Sequence, residues 1–458
     1  MTAAARFLDI DLSRVYEKVV SSHLVLEPEK DRARKRHEMG KRFAELIGLA
    51  AIFTVVIVLL KLAPASVAGQ GPTPNATAGD TKTAGPATKT PWGEPDLQGI
   101  WTNDYEIPLQ RPARYANKEF FTDEERAELD RVRTGIISED SRPHSRGSEK
   151  DVSGAYNAGI FLTHKHTGRR TSLIVDPPDG RVPAPTPEAM ARRREAREYQ
   201  LALLQATDAC KNNQRECAGG KYGPPSPRRQ EPPPIYPVAA LNRSDNPEDR
   251  GLSERCMAAR LPDFGGIAGF YLQVVQSPRV VSIFYDTGQG QGWQRIIPVT
   301  DKPHLPSTVR QWWGDSRGRW EGDTLVVDVT NFTPKTDFQG SRENLHLVER
   351  WRRTDAKTIE YAVTLEDPMT WTRAWTVKLD LSRQGDKGNR VYKEPRCHEG
   401  NYGMPALLHG ARIEEKAYAE HRGPHPATIC NSGCGGIENF QVGVDDVQVE
   451  ESRPVGGR

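Results

Sequence analysis

The sequence predicts a mainly β protein with peripheral helices, its antiparallel strands curling into a barrel or packing as a sandwich. Two observations carry that prediction. From Tyr271 to Arg383 the chain falls into short runs in which apolar and polar residues alternate, the period of a strand with one buried face. The links between runs, such as "TDAK" and "DPMTWTR", are too short for a crossover helix, so neighbouring strands are antiparallel. A doubly wound parallel sheet is excluded on the same ground.

The N-terminus reads as an export signal. A basic run, "DRARKRHEMGKRF", precedes the apolar run Leu46–Leu60, and small residues follow in "APASVAGQG". Ser66 and Ala68 fit the small positions before a cleavage site. The apolar run falls short of the roughly 20 residues that a spanning helix needs. Residues 1–38 then form a dispensable extension or a gene-model artefact, because Met39 would make an ordinary start. Residues 39–68 form a signal peptide or, if uncleaved, a signal anchor with its basic tail in the cytoplasm. The body of the chain is accordingly periplasmic or secreted, or anchored to the inner membrane facing the periplasm. Any membrane contact runs through this segment alone.

Residues 69–91 are small and polar and form a flexible linker. Residues 92–255 read as an irregular and helical wrapping segment. In it, Thr122 and Glu125 are spaced as a capping box, and "TSLIVDPPDGRVP" is a strand running into a turn. Thr186-Pro187 opens a charged helix to about Gln205. Its "RRREAR" is expected to be a solvated face. The Pro-rich stretch Cys210 to Pro237 is expected to lack regular structure.

Residues 256–421 form the antiparallel β domain with a C-terminal helix at "MPALLHGARIEEKAYAEH", and residues 422–458 a polar tail. The alternation puts Leu325, Val327 and Val329 on one face of their strand, and Leu345, Leu347 and Trp351 on one face of another, with Glu349 intruding. Ile359, Tyr361, Val363 and Leu365 share a face, as do Trp375, Val377, Leu379 and Leu381.

Charge excludes one class of partner. Sixty-three basic residues against 61 acidic ones leave no polyanion-binding surplus, so no nucleic acid is expected. All six cysteines follow the signal, as expected of disulfides in an oxidising compartment. Their connectivity is open. Cys210 with Cys217 and Cys430 with Cys434 would close small loops, leaving Cys256 with Cys397 to clip a long one.

Several stretches invite a chemical reading. "GDSRGRWEGDT" matches the spacing of a nucleophilic serine at Ser316, but it leads into a strand rather than a helix, and we read it as a polar turn. Asp315, Glu321 and Asp323 raise calcium, which Arg317 and Arg319 oppose. His304, His346 and His398 are candidate ligands for a divalent metal, and the cofactor is otherwise unknown. His346, His398 and Glu399 are candidate acid–base groups. His346 faces away from Leu347, beside Val348 and Arg350. Trp313, Trp351 and Trp375 would line a cavity for a small apolar ligand or fill a core. The functional readings are a ligand-binding barrel or sandwich, a periplasmic hydrolase, hydratase or isomerase, and an envelope interaction module. No oligomeric state follows from the sequence.

The stretches "LPSTVRQWWGDSRGRWEGDTLVVDVTNF", "ENLHLVERW" and "CHEGNYGMPALLHGARIEE" resemble a large family of exported bacterial proteins of unassigned function. "PDLQGIWTN" and "VDPPDGRVP" belong to the same pattern, so the resemblance runs from about Pro91 to about Glu415. It carries His304, His346, Cys256, Cys397, His398 and Glu399 as matched motif positions, without a catalytic role. The Cys210/Cys217 insertion and the "CNSGCGG" tail depart from it. "LQGIWT" is also similar to the Gly-x-Trp opening of lipocalin-type barrels, which implies a calycin-like barrel.

Overall fold

Alternation in the sequence becomes a ring of strands. The computed structural model describes residues 89–138, 166–257, 260–264, 271–288, 291–385 and 398–430. The expected signal, nearly all of the linker, and the tail beyond residue 430 lie outside the described residues. In chain order the elements are β1 (Gly99–Thr102), β2 (Tyr105–Glu106), α1 (Asp123–Ser138), β3 (His166–Thr167), β4 (Ile174–Asp176), α2 (Pro187–Leu204) and α3 (Asp208–Lys211). Then come β5 (Tyr271–Ser277), β6 (Val280–Gly288), β7 (Gln291–Pro298), β8 (Asp315–Glu321), β9 (Thr324–Thr330), β10 (His346–Arg353), β11 (Thr358–Glu366) and β12 (Trp375–Arg383), followed by α4 (Gly403–Ala419).

Nine strands pair in the order β7-β6-β5-β1-β12-β11-β10-β9-β8, and β4 adds to β12 off this path. Every neighbouring pair along the path is antiparallel. Read around the ring, the strands follow chain order, so the sheet is an up-and-down meander curled into a nearly closed barrel. Nine is odd, however. Directions alternate along the path, so the first and last strands, β7 and β8, must run the same way. They meet in a single parallel bridge, Val299 with Gly318, where Thr300 N–H donates to the Gly318 carbonyl at 2.9 Å. This seam is the weak point of the closure, and the link 299–314 spans it.

The inward faces are those that alternation assigned. Leu325, Val327, Val329, Leu347, Trp351, Ile359, Tyr361, Val363, Leu365, Trp375, Val377, Leu379 and Leu381 all lie in one buried cluster with Trp101. Each such large side chain contributes about 1.5–3 kcal/mol by leaving water, and together they fill the barrel rather than leaving it hollow.

Four expectations need correction. The sheet crosses the expected boundary at 255/256, since β1 lies between β5 and β12 and β4 also comes from the wrapping segment. "GDSRGRWEGDT" is not a turn throughout: Asp315–Glu321 is β8, and the reversal is confined to Gly322 and Asp323. Apolar content is low there because Ser316 and Gly318 face the crowded interior, where small residues fit. "RRREAR" is a solvated face only in part: Arg193, Arg194 and Glu195 are exposed, but Arg192 and Arg197 are half-buried, Arg192 donating to the Met369 carbonyl and Arg197 to those of Glu216 and Ala218. The Pro-rich stretch does contain short helical turns at Arg215–Cys217 and Pro227–Gln230.

The capping expectations describe the geometry well. Thr122 N–H donates to Glu125 Oε2 at 2.7 Å, and Glu125 N–H to Thr122 Oγ1 at 3.2 Å. Thr186 Oγ1 accepts from Ala189 N–H at 3.1 Å, with Pro187 opening α2. Cys210 and Cys217 are disulfide-bonded, with Cα atoms 5.0 Å apart. Cys256 and Cys430 each belong to a further disulfide, and Cys397 and Cys434 lie outside the described residues.

Candidate functional site at the barrel seam

Alternation along β7 aims Trp293, Arg295 and Ile297 inward and leaves Gln294 and Ile296 outside. Arg295 is buried and needs an anion. Its Nη2 donates to Glu349 Oε2 at 2.6 Å and its Nη1 to Glu349 Oε1 at 3.1 Å. The hydroxyl of Tyr361 donates to Glu349 Oε1 at 2.7 Å, and Arg295 Nη1 reaches the Tyr285 hydroxyl at 3.3 Å. Burial works against the Arg295 charge, yet Glu349 and Tyr285 outweigh it and raise the guanidinium above its ordinary value. Burial likewise pushes the Tyr285 and Tyr361 hydroxyls well up, with the Glu349 charge adding to it. Ser316 Oγ accepts from Arg295 Nε at 3.1 Å and from Nη2 at 2.9 Å. Among the described residues no histidine is hydrogen-bonded to Ser316, so it completes the solvation of an arginine rather than attacking a substrate.

Beside this network, at the open part of the seam, lies a cleft of about 350 Å³ lined by Met257, Gly292, Trp293, Gln294, Trp312 and Trp313. Among the described residues no charged side chain lines it. Trp313 sits edge-on to Tyr285, centroids 4.9 Å apart, and 6.4 Å from the Trp293 ring. Close approach bears on two glycines, and it binds at Gly314. A Cβ at Gly292 would lie 2.3 Å from the Phe284 ring. Gly314 turns the chain from Trp313 into β8 at φ +65°, and a Cβ there would lie 2.6 Å from the Thr330 carbonyl oxygen.

A second cluster lies on the outer face of β8 to β11. His304, in the link, places Nδ1 3.0 Å from Asp315 Oδ2 and Nε2 2.8 Å from Asp328 Oδ1. His346 places Nε2 3.0 Å from Asp328 Oδ2 and Nδ1 3.4 Å from Glu366 Oε2. Burial pushes the Asp328 carboxyl up, but the hydrogen bonds of His346 and His304 outweigh it and hold it below its usual range.

Two of the three expected histidines thus share a carboxylate, and the third stands apart. His398 is exposed, with Nδ1 3.2 Å from the Glu399 carbonyl oxygen. Glu399 pairs with Arg255, which also donates to the Tyr236 hydroxyl. Among the described residues no group of three His, Cys, Asp or Glu side chains could hold a metal ion. Of the three carboxylates considered for calcium, two are bound to protein cations, Asp315 to Arg317 and Glu321 to Arg319 and Arg350. Of the expected ligand tryptophans, Trp313 lines the cleft. Trp351 and Trp375 lie in the core against Tyr361 and Trp371.

Sequence reasoning missed Asp328, Arg295 and Met257. Asp328 had a usable signal, since it lies between Val327 and Val329 on the face that His346 shares. Arg295 and Met257 had none, because their partners come from distant strands and loops.

No protein-family model matches the chain, and no curated protein matches it. Among solved structures, the chain is similar to a secretary abundant heat soluble (SAHS) protein from Ramazzottius varieornatus, with a TM-score of 0.19 and 9% identity over 27% of this chain and 77% of that one. A likeness this slight carries no argument. Among the described residues no helix is long and apolar enough to cross a membrane.

Proposed function

We propose that this is an exported β-barrel protein that binds a small, uncharged, largely apolar ligand in the tryptophan cleft at its seam. One observation carries the reading: Trp293, Trp312, Trp313 and Met257 converge on an open cleft that no charged side chain lines among the described residues. Its volume is at the small end of ligand pockets, which suits a compact ligand of one or two rings. The ligand does not enter the barrel axis, which is filled by Trp101, Trp351, Trp375 and the Arg295–Glu349 pair. The disulfide between Cys210 and Cys217 fits an extracellular or periplasmic setting. Together with the basic and apolar N-terminus, it supports export and membership of the family of exported bacterial proteins that the motifs resemble. An acid–base enzyme using His346, His398 and Glu399 has less support, since no contact joins His398 to His346.

The test is a titration with N-phenyl-1-naphthylamine, a neutral two-ring probe. Saturable binding at one site, weakened at least about tenfold by Trp313→Ala, is expected. Unsaturable binding, or equal affinity in the variant, would overturn the proposal.

A further inference from the structure

The outer cluster has an unusual hydrogen-bond count. A neutral imidazole carries one N–H, so a ring with a carboxylate at each nitrogen satisfies both only when protonated. His304 is held this way between Asp315 on β8 and Asp328 on β9, and His346 between Asp328 and Glu366 on β11. Arg317 completes the set, donating to Asp315 Oδ1 at 2.6 Å and to the Pro303 carbonyl at 3.3 Å. With both imidazoles protonated, three carboxylates face three cations and the cluster is neutral. With both neutral, two negative charges are left and at least one contact at each ring loses its hydrogen. Asp301 and Lys302 are the other charges next to His304 on the link, and both are exposed.

His304 belongs to the same link as Trp312 and Trp313. We propose that the Asp315–His304–Asp328–His346–Glu366 chain is a proton-operated clamp on the seam, holding the link against β8 and β9 when protonated and loosening it when not. Its consequence for ligand rests on the cleft reading, whereas the clamp itself does not. Proton-independent bonds set its range: Asn331 Nδ2 donates to the Leu305 carbonyl at 2.8 Å, Gln311 N–H to the Asn331 carbonyl at 2.9 Å, and Arg310 Nη1 to the Glu343 carbonyl at 2.6 Å. Thr300 N–H also donates to the Gly318 carbonyl and Leu305 N–H to Asp315 Oδ2, each at 2.9 Å, so the link loosens rather than detaches, most between these anchors at residues 301–304.

Hydrogen exchange of the whole protein, corrected for the intrinsic rate, tests this between about pH 5 and about pH 8, where imidazoles titrate. Protection of link peptides within 299–314 is expected to fall about tenfold on raising the pH, the scale of one charge-assisted hydrogen bond. In His304→Gln, which cannot be protonated, it should be low at both values. Equal protection of the wild type at both values, or a wild-type pH response in His304→Gln, would overturn the clamp. Asp328→Asn, which removes the shared anion, should flatten the response as well, and a retained response would count against it. Titrating N-phenyl-1-naphthylamine at both values separates the two readings. Changed protection with unchanged probe affinity would overturn the coupling to the cleft, and changed protection without any probe binding would overturn the cleft alone.

Discussion

Glu349 is a carboxylate with no exposed surface, and its energetics follow from that. Removing one partner of a buried ion pair leaves the other charged in a medium that solvates it poorly. Glu349→Gln is expected to lower unfolding free energy by about 3–5 kcal/mol in a denaturant titration. Replacing both Arg295 and Glu349 by apolar residues of similar size should recover most of it. Asp328 acts by a different route. Its folded pKa is depressed, so its stabilisation is complete above the unfolded carboxylate's pKa, about 3.9, and is lost as pH falls through the lower folded value. Asp328→Asn should be less stable near neutrality and should lose stability less steeply on acidification, as acid-unfolding curves would show. Glu349 was visible in the sequence as a break in the pattern of Leu347 and Trp351. Its partner was not, because pairing across the barrel depends on closure rather than on local spacing.

Strands whose apolar residues alternate strictly, such as β11 and β12, were legible because one buried face demands that period. β8 was not. Its inward positions hold Ser316 and Gly318, which carry no hydrophobic signal, and the turn-forming residues around them have other uses here. Gly314 is the test of how β8 begins. Gly314→Ala would force a Cβ against the Thr330 carbonyl in a left-handed conformation. It is expected to cost about 2 kcal/mol or more in thermal or denaturant unfolding, and to shift the emission of the adjoining tryptophans. Thr122→Ala should remove the cap of α1 at a cost of about 1 kcal/mol, seen as faster exchange in its first turn. Of the candidate site, Trp313 was legible from its motif, but Met257 and Trp293 reach the cleft only through the fold.

At the scale of the whole molecule, an odd strand count leaves a parallel, nearly unpaired seam in an otherwise antiparallel barrel. The role of β1 in that closure was signalled only by the short "LQGIWT" likeness, since a four-residue strand far from its neighbours in sequence is too short to show a period. Seam amides of β7 and β8 are expected to exchange at least about tenfold faster than those of β11 and β12. The cleft exists because the seam is open there, so occupancy of the cleft is the central claim. Methionine methyl groups labelled with carbon-13 report it directly, because Met257 lines the cleft whereas Met190 and Met369 are exposed elsewhere. Adding a neutral two-ring aromatic should move the Met257 resonance saturably and leave those of Met190 and Met369 in place. An unmoved Met257 signal, or equal shifts at all three, would contradict the account.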